Sequence, residues 1–182
     1  MRIVGGTLKG RALKGPSSNA TRPTTDRLRE ALFNVLAHAY CDAADGARVL
    51  DLFAGTGALG LEALSRGAAF ALFVEDAVEP RALIRANVEA LGLTGVTRIF
   101  RRDATRLGEC LPGDAYTLVF CDPPYGKGLA EQALSSARTG GWLAPEALVV
   151  VEEKTGAFRP PEGFTELERR RYDETEFIFL SA

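Results

Sequence analysis

From Arg48 onward the chain alternates short apolar runs with stretches of helical spacing, and few architectures accept that alternation. The apolar runs are 49–53, 69–74, 96–100, 116–121 and 147–151; helical spacing fills 59–66, 78–91, a short piece at 105–110, and 129–138. Runs that are apolar at nearly every position suit strands buried on both faces, so the pattern predicts a mostly parallel sheet between two helical layers. Two further strand-like runs, 164–172 and 175–180, are separated only by Asp173-Glu174 and predict an antiparallel hairpin that closes the sheet. The expected fold class is therefore α/β, mostly parallel, with an antiparallel C-terminal hairpin.

The N-terminal part differs. Arg2-Ile-Val4, Gly5-Gly6 and residues 7–13 predict a small β-hairpin around a diglycine turn, followed by a loop. Thr24, Thr25 and Asp26 offer helix caps, and Leu28, Ala31, Leu32, Val35, Leu36 and Ala39 recur at helical spacing, which predicts an amphipathic helix over 26–40. We divide the chain into a basic hairpin and loop, 1–20, and one sheet domain, 21–182.

The balance of 22 Lys and Arg against 24 Asp and Glu hides an asymmetry, because residues 1–40 carry +5 and the rest −7. A basic N-terminal arm of this kind suits a polyanion, and Lys9, Arg11, Lys14 and Arg27 are its candidate RNA contacts. Arg98, Arg101, Arg102 and Arg106, and also Arg169 to Arg171, read instead as solvated or ion-paired faces. His38 reads as an ordinary helix residue. Cys41, Cys110 and Cys121 have neither metal-site nor disulfide-framework spacing, so reduced thiols and no metal are expected. Met1 to Gly15 lacks the apolar core of a signal peptide and no run approaches a membrane span, so a cytoplasmic protein without membrane contact is expected.

Two motifs carry chemistry. Asp51-Leu-Phe53-Ala-Gly55-Thr-Gly57-Ala-Leu-Gly60 follows the first sheet strand and opens a helix. Its glycines let a ligand approach the backbone, and Glu75, at the end of the next strand, suits ribose hydroxyls. Asp51 ahead of the turn would repel a pyrophosphate but suits a cationic methionine group. Asp103 after the third strand suits an adenine amino group, or caps the turn that follows. The ligand expected on these grounds is S-adenosylmethionine, with Asp51, Phe53, Gly55, Gly57, Glu75, Asp76, Asp103 and Ala104 as candidate cofactor-binding residues.

The second motif, Asp122-Pro123-Pro124-Tyr125, ends the fourth strand. Prolines remove backbone donors and leave rigid carbonyl acceptors; an ionised carboxylate also only accepts. Asp122 and the Pro123 carbonyl together can take both hydrogens of an exocyclic amino group and orient its lone pair for attack. Tyr125 can stack on an unstacked or flipped base. Asp122, Pro123, Pro124 and Tyr125 are the candidate catalytic residues.

Taken together, residues 2–6, Gly10-Arg11, Arg22-Pro-Thr-Thr-Asp-Arg27 through Asn34, Asp51 to Gly67, Glu75 and Asp122 to Tyr125 resemble the bacterial RsmD-type 16S rRNA guanine-N2 methyltransferases over nearly the whole chain. The glycine turn and Asp-Pro-Pro-Tyr are common to many amino-methyltransferases; the N-terminal hairpin with Arg-Pro-Thr-Thr-Asp-Arg is the narrower signature. The resemblance implies a Rossmann-like methyltransferase sheet and N2-methylation of one guanine in 16S rRNA, of the guanine-966 type. It also implies an assembled or assembling small ribosomal subunit as substrate, a monomeric enzyme, and places for Arg22 and Thr24 near the methionine end of the cofactor. Two alternatives stay open on the residues alone. One is an adenine-N6 DNA methyltransferase, for which only 57 residues after Tyr125 leave little room for target recognition. The other is an NAD- or FAD-binding oxidoreductase, which leaves Asp-Pro-Pro-Tyr unexplained.

Overall fold

The structure, a computed structural model, describes residues 1–17 and 24–182. Its elements in chain order are α1 (Asp26–Ala39), β1 (Arg48–Leu52), α2 (Ala58–Ser65), β2 (Phe70–Val74), α3 (Val78–Leu91), β3 (Thr97–Phe100), β4 (Tyr116–Cys121), α4 (Leu129–Thr139), β5 (Leu143–Lys154), β6 (Thr165–Tyr172) and β7 (Thr175–Ser181). Single 3-10 turns precede β3, at Thr94–Val96, and follow it, at Ala104–Arg106. Among the described residues one seven-stranded sheet has the order β3-β2-β1-β4-β5-β7-β6. Strands β1 to β5 are parallel, and β7 runs antiparallel to both β5 and β6. The predicted architecture is what forms.

Alternation within each strand explains why the runs are apolar throughout. Val49, Ala71, Phe73, Leu118 and Phe120 pack toward α1, α2 and α3. Their neighbours Leu50, Leu72, Val74, Val119 and Cys121 pack toward α4. Strands β1, β2 and β4 thus bury both faces, as a parallel sheet under two helical layers requires, while β3 at the edge is only partly buried. Helix α1 begins where the Thr25 hydroxyl accepts the Leu28 N–H at 3.2 Å, so Thr25 supplies the cap rather than Asp26. No helix among the described residues is long and apolar enough to cross a membrane.

The N-terminal hairpin exists in minimal form, as one bridge between Arg2 and Ala12. Ile3 and Leu13 are buried, and the Leu13 N–H donates to the Met1 carbonyl at 2.9 Å. The pairing stops there because α2 claims the groups that would extend it. Glu62 accepts the N–H of Val4 at 3.0 Å and of Gly5 at 2.8 Å, and the Thr7 N–H donates to the Ser65 carbonyl at 2.8 Å. Gly6, at φ 77°, lies so close that a Cβ there would meet the Ser65 carbonyl oxygen at 1.9 Å. The arm is therefore moulded onto the sheet domain.

Strand β5 is longer than its apolar run. It continues through Glu152, Glu153 and Lys154 because β7 pairs with it as far as Thr175. This extension carries two buried carboxylates to the carboxyl edge of the sheet.

Candidate active site

The strand order reverses between β1 and β4, since β2 and β3 continue on one side and β5 on the other. Ligands of open α/β sheets bind in the crevice outside the carboxyl ends at such a reversal. Both sequence motifs end there. Leu52 and Cys121 are register partners, and the Asp122 N–H donates to the Leu52 carbonyl at 3.4 Å.

Phe53 (φ 58°), Gly55 (φ 57°) and Gly57 (φ 80°) all take left-handed backbone, which turns the chain sharply from β1 into α2. Two carboxylates hold the turn from opposite sides. Glu75 accepts the Gly55 N–H at 2.9 Å and the Ala77 N–H at 3.1 Å. Asp51 accepts the Gly60 N–H at 3.0 Å and is only 1% exposed. A Cβ on Gly60 would lie 2.5 Å from the Phe73 ring, so glycine is required for α2 to seat on the sheet. Asn87 of α3 ties this turn to the arm: its Nδ2 donates to the carbonyls of Thr56 and Lys14, both at 3.1 Å, while its Oδ1 accepts the Lys14 N–H at 2.7 Å.

Burial pushes the Asp51 carboxyl up to about 8; the Gly60 N–H offsets part of this and the nearby Glu75 charge adds to it. From pH 4 to 8 the folded, ligand-free protein holds a proton that an unfolded chain, with its carboxyl near 3.8, has released. Folding stability must then fall as pH rises through that window. We predict that Asp51→Asn, which keeps an acceptor for Gly60, stabilises the protein more at pH 8 than at pH 5 in urea melts. Equal gains at both pH values would remove Asp51 as the cause.

A cavity of about 260 Å³ opens beside the turn. It is lined by Phe53, Glu75, Asp76, Asp103 and Ala104, five of the candidate cofactor residues. Val74, Arg102, Thr105 and Leu129 also line it and were not among the cofactor candidates read from sequence. Arg102 lies in a run of arginines that reads as surface, but its guanidinium stacks over Phe100 at 4.4 Å and donates to the Leu107 carbonyl at 2.5 Å. Asp103 caps the following 3-10 turn, accepting the Thr105 N–H at 2.8 Å and hydroxyl at 2.7 Å; these bonds hold its carboxyl below the ordinary value. Asp51, Gly55 and Gly57 are absent from the lining and act by shaping it. Arg22 lies outside the described residues. A wider, open groove of about 570 Å³ runs along α4 from Thr105 to Gly140, but it holds none of the motif residues.

Pro123 is buried, Pro124 exposed, and Asp122 and Tyr125 half-buried. The Tyr125 hydroxyl donates to Glu152 at 2.7 Å and lies 2.9 Å from the Thr175 hydroxyl, so the ring is pinned from beneath. Thr24 is buried, with its hydroxyl 2.8 Å from Glu152 and 3.3 Å from Asp122. It stands at the Asp122 turn and does not line the cavity. Burial pushes the Asp122 carboxyl well above the ordinary range, the charges of Glu152 and Asp51 add to this, and the Thr24 hydrogen bond opposes it. Glu152, Glu153 and Thr175 had no motif to announce them. Two consecutive acids ending an apolar strand look like a solvated strand end, and only the β7 pairing buries them.

Lys9, Arg11, Lys14 and Arg27 are all exposed. The Arg11 guanidinium donates to the Ala90 carbonyl near the C-terminus of α3 at 2.6 Å. Arg169 and Arg170 are ion-paired with Glu166, Glu176 and Glu168, in keeping with a structural face.

Comparisons agree with this geometry. The family model described as "Conserved hypothetical protein 95" matches residues 1–181. Ribosomal RNA small subunit methyltransferase D of Escherichia coli is 44% identical over 155 residues, covering 85% of this chain and 75% of that protein. The enzyme of the same name from Haemophilus influenzae is 36% identical over 173 residues, covering 93% and 88%. Among solved structures, yhhF of Escherichia coli superposes with a TM-score of 0.83 at 34% identity, covering 100% of this chain and 97% of the other. Thermus protein TTHA0928 gives 0.76 at 33%, with 98% of each chain covered. A match along almost the whole chain, with both motifs at one sheet edge, means that the chain belongs to the RsmD-type family of small-subunit ribosomal RNA methyltransferases.

Proposed function

We propose that the protein transfers the methyl group of S-adenosylmethionine to the exocyclic N2 amino group of a guanine in 16S rRNA, acting on the small ribosomal subunit in the cytoplasm. The observation that carries this reading is the direct abutment of the Asp122 turn on the glycine turn, through the Asp122 N–H on Leu52, in a chain whose relatives are named small-subunit rRNA methyltransferases.

The residues fit this cofactor better than a dinucleotide. A pyrophosphate is cradled by free N–H groups at a glycine turn. Here the Gly55 N–H is committed to Glu75 and the Gly60 N–H to Asp51, so neither is free for a phosphate, and Glu75 and Asp76 line the cavity beside the turn. Glu75 and Asp76 suit ribose hydroxyls, Phe53 and Ala104 an adenine face, and Asp103 its amino group. Bound there, S-adenosylmethionine supplies an electrophilic methyl on a sulfonium, whose neutral sulfide leaves readily. The protein's own task is positioning, which can supply much of the acceleration of a two-reactant displacement. Asp122 and the Pro123 carbonyl accept the two amino hydrogens and aim the nitrogen lone pair at the methyl. The pinned Tyr125 ring offers a stacking platform worth ~1–3 kcal/mol for a single base.

Acceptors crowd this edge, and that supports guanine over adenine. Guanine's amino group stands between the N1–H donor and the N3 lone pair, so a carboxylate can find a second donor beside it, whereas adenine's amino group has no adjacent ring N–H and a carboxylate meets the N1 lone pair. The test is transfer of a tritiated methyl to small subunits lacking the modification, followed by nucleoside analysis. N2-methylguanine is expected; methyladenine as sole product would overturn the assignment.

The exposed cations of the arm supply the RNA-facing charge. Replacing Lys9, Arg11 and Lys14 together should flatten the plot of log affinity against log salt by roughly 2–3, with the largest loss at low salt. An unchanged slope would move the RNA surface elsewhere.

A further inference from the structure

Between Asp122 and Glu152 stands a single hydroxyl, that of Thr24, 3.3 Å from one carboxylate and 2.8 Å from the other. A hydroxyl has one proton and can donate in one direction only. If it donates to Glu152, its approach to Asp122 is a hydrogen bond only when Asp122 carries a proton; the converse holds if it donates to Asp122. The three groups therefore satisfy one another when the two carboxylates hold one proton between them. The Tyr125 hydroxyl, 2.7 Å from the other oxygen of Glu152, fixes that carboxylate in place.

We propose that Glu152 is a positioning residue that receives, through the Thr24 hydroxyl, the proton Asp122 takes from the methylated amine. This rests on the methyl-transfer reading above. When the N–CH3 bond forms and the sulfonium–methyl bond breaks, the sulfur keeps the bonding pair and the nitrogen becomes cationic. It must lose one proton, and Asp122 accepts it. Thr24 takes that proton on its oxygen and gives its own to Glu152. The amine ends neutral, Asp122 ends as a carboxylate ready for another amino group, and Glu152 ends neutral until product leaves and solvent takes the proton. A buried carboxylate 5% exposed would otherwise be a costly neighbour for Asp122.

The groups facing this pair are mostly acidic: Asp51 from β1, Tyr125 from the catalytic turn and Glu153 from β5 itself. Glu176 of β7 is the register partner of Glu153, and Arg29 of α1 reaches the Thr24 carbonyl at 3.3 Å. Glu152→Gln keeps the shape and one of the two accepting oxygens, turns the other into an N–H donor, and neither carries the charge nor accepts a proton. Since the Glu152 charge holds the Asp122 carboxyl up, that variant should lower the Asp122 midpoint by about one pH unit or more, read by carboxyl carbon NMR on the ligand-free protein. In the active protein the acid limb of the kcat profile should move down with it. Turnover near neutral pH should fall about tenfold or more, with KM for small subunits unchanged. Thr24→Val, which leaves both carboxylates but cuts the path, should lose turnover equally, and the double variant should be no worse than either. An Asp122 midpoint and acid limb unmoved in Glu152→Gln, or full turnover in Thr24→Val, would overturn the proposal. Wild-type protein that methylates no guanine would overturn the underlying reading instead, and the NMR midpoints stay informative in that case.

Discussion

Asp122→Ala should reduce methyl transfer by at least about 10³-fold while leaving S-adenosylmethionine affinity within about tenfold, or ~1.4 kcal/mol. The separation follows from position. Asp122 does not line the cavity formed by Phe53, Glu75 and Asp103, so the cofactor keeps its partners. What disappears is the carboxylate that accepts an amino hydrogen and then the proton. The Pro123 carbonyl alone cannot fix a group with two donors, and the lone pair stays conjugated with the ring. Asp122→Asn should be nearly as inactive, because its amide keeps one acceptor but is no base. Neither variant should melt lower than wild type, since both remove a carboxylate that burial and the charges of Glu152 and Asp51 already hold above its ordinary range. Single-turnover transfer to small subunits, beside calorimetry with the cofactor, measures both halves. Wild-type turnover in Asp122→Ala sinks the assigned role, and a hundredfold loss of cofactor affinity would mean that the two motifs share one function.

The sheet was legible in the sequence because its cause is local and repeated. The inner strands of the parallel part are buried on both faces, so each announces itself as an apolar run, and loops carry the glycines and prolines that end it; the edge strand β3 is only partly buried. The two motifs were legible because their backbone needs are unusual: left-handed turns at Gly55 and Gly57, and donor-free carbonyls at Pro123. The residues behind them were not. Glu152 is buried only because β7 pairs with it through Phe177, well separated in the chain. Asn87 looks like one more polar position on α3 until the arm lies across it. Thr24 and Asp51 were picked out for the cofactor on charge and resemblance; their hydrogen bonds to Asp122, Glu152 and Gly60, which tie distant segments together, were not foreseeable. A side chain's chemistry can be read from its letter; which neighbour receives it depends on pairings between distant segments.

The same limit hid the residue whose loss should cost most in stability. Arg29 looks like a solvent-facing position of α1, yet it is fully buried. It donates to Glu62 at 3.4 Å, to Asp26 at 2.9 Å, to the Thr24 carbonyl at 3.3 Å and to the Arg2 carbonyl. Glu62, itself fully buried, also accepts the Val4 and Gly5 N–H groups, so this ion pair joins α1, α2, the arm and Thr24, whose hydroxyl meets Asp122. Arg29→Met leaves the Glu62 charge buried, and breaking such a pair costs about 3–5 kcal/mol. The lower end is expected, because Arg66 remains on the other oxygen of Glu62 at 2.9 Å. At roughly 2–4 °C per kcal/mol for a chain of this size, Tm should drop by about 6–12 °C. Glu62→Gln added to Arg29→Met should recover part of that loss by removing the stranded charge, a coupling that simple packing defects would not show. Arg29→Lys should not rescue, since one ammonium cannot reach four acceptors on three segments. Below the melting range, folded Arg29→Met should still transfer methyl groups more slowly, because the Thr24 hydroxyl that bridges Asp122 and Glu152 has lost the guanidinium anchoring its own backbone. A Tm within 2 °C of wild type would show that the arm and α1 are held by their apolar contacts, Ile3 and Leu32 among them, with the ion pair incidental.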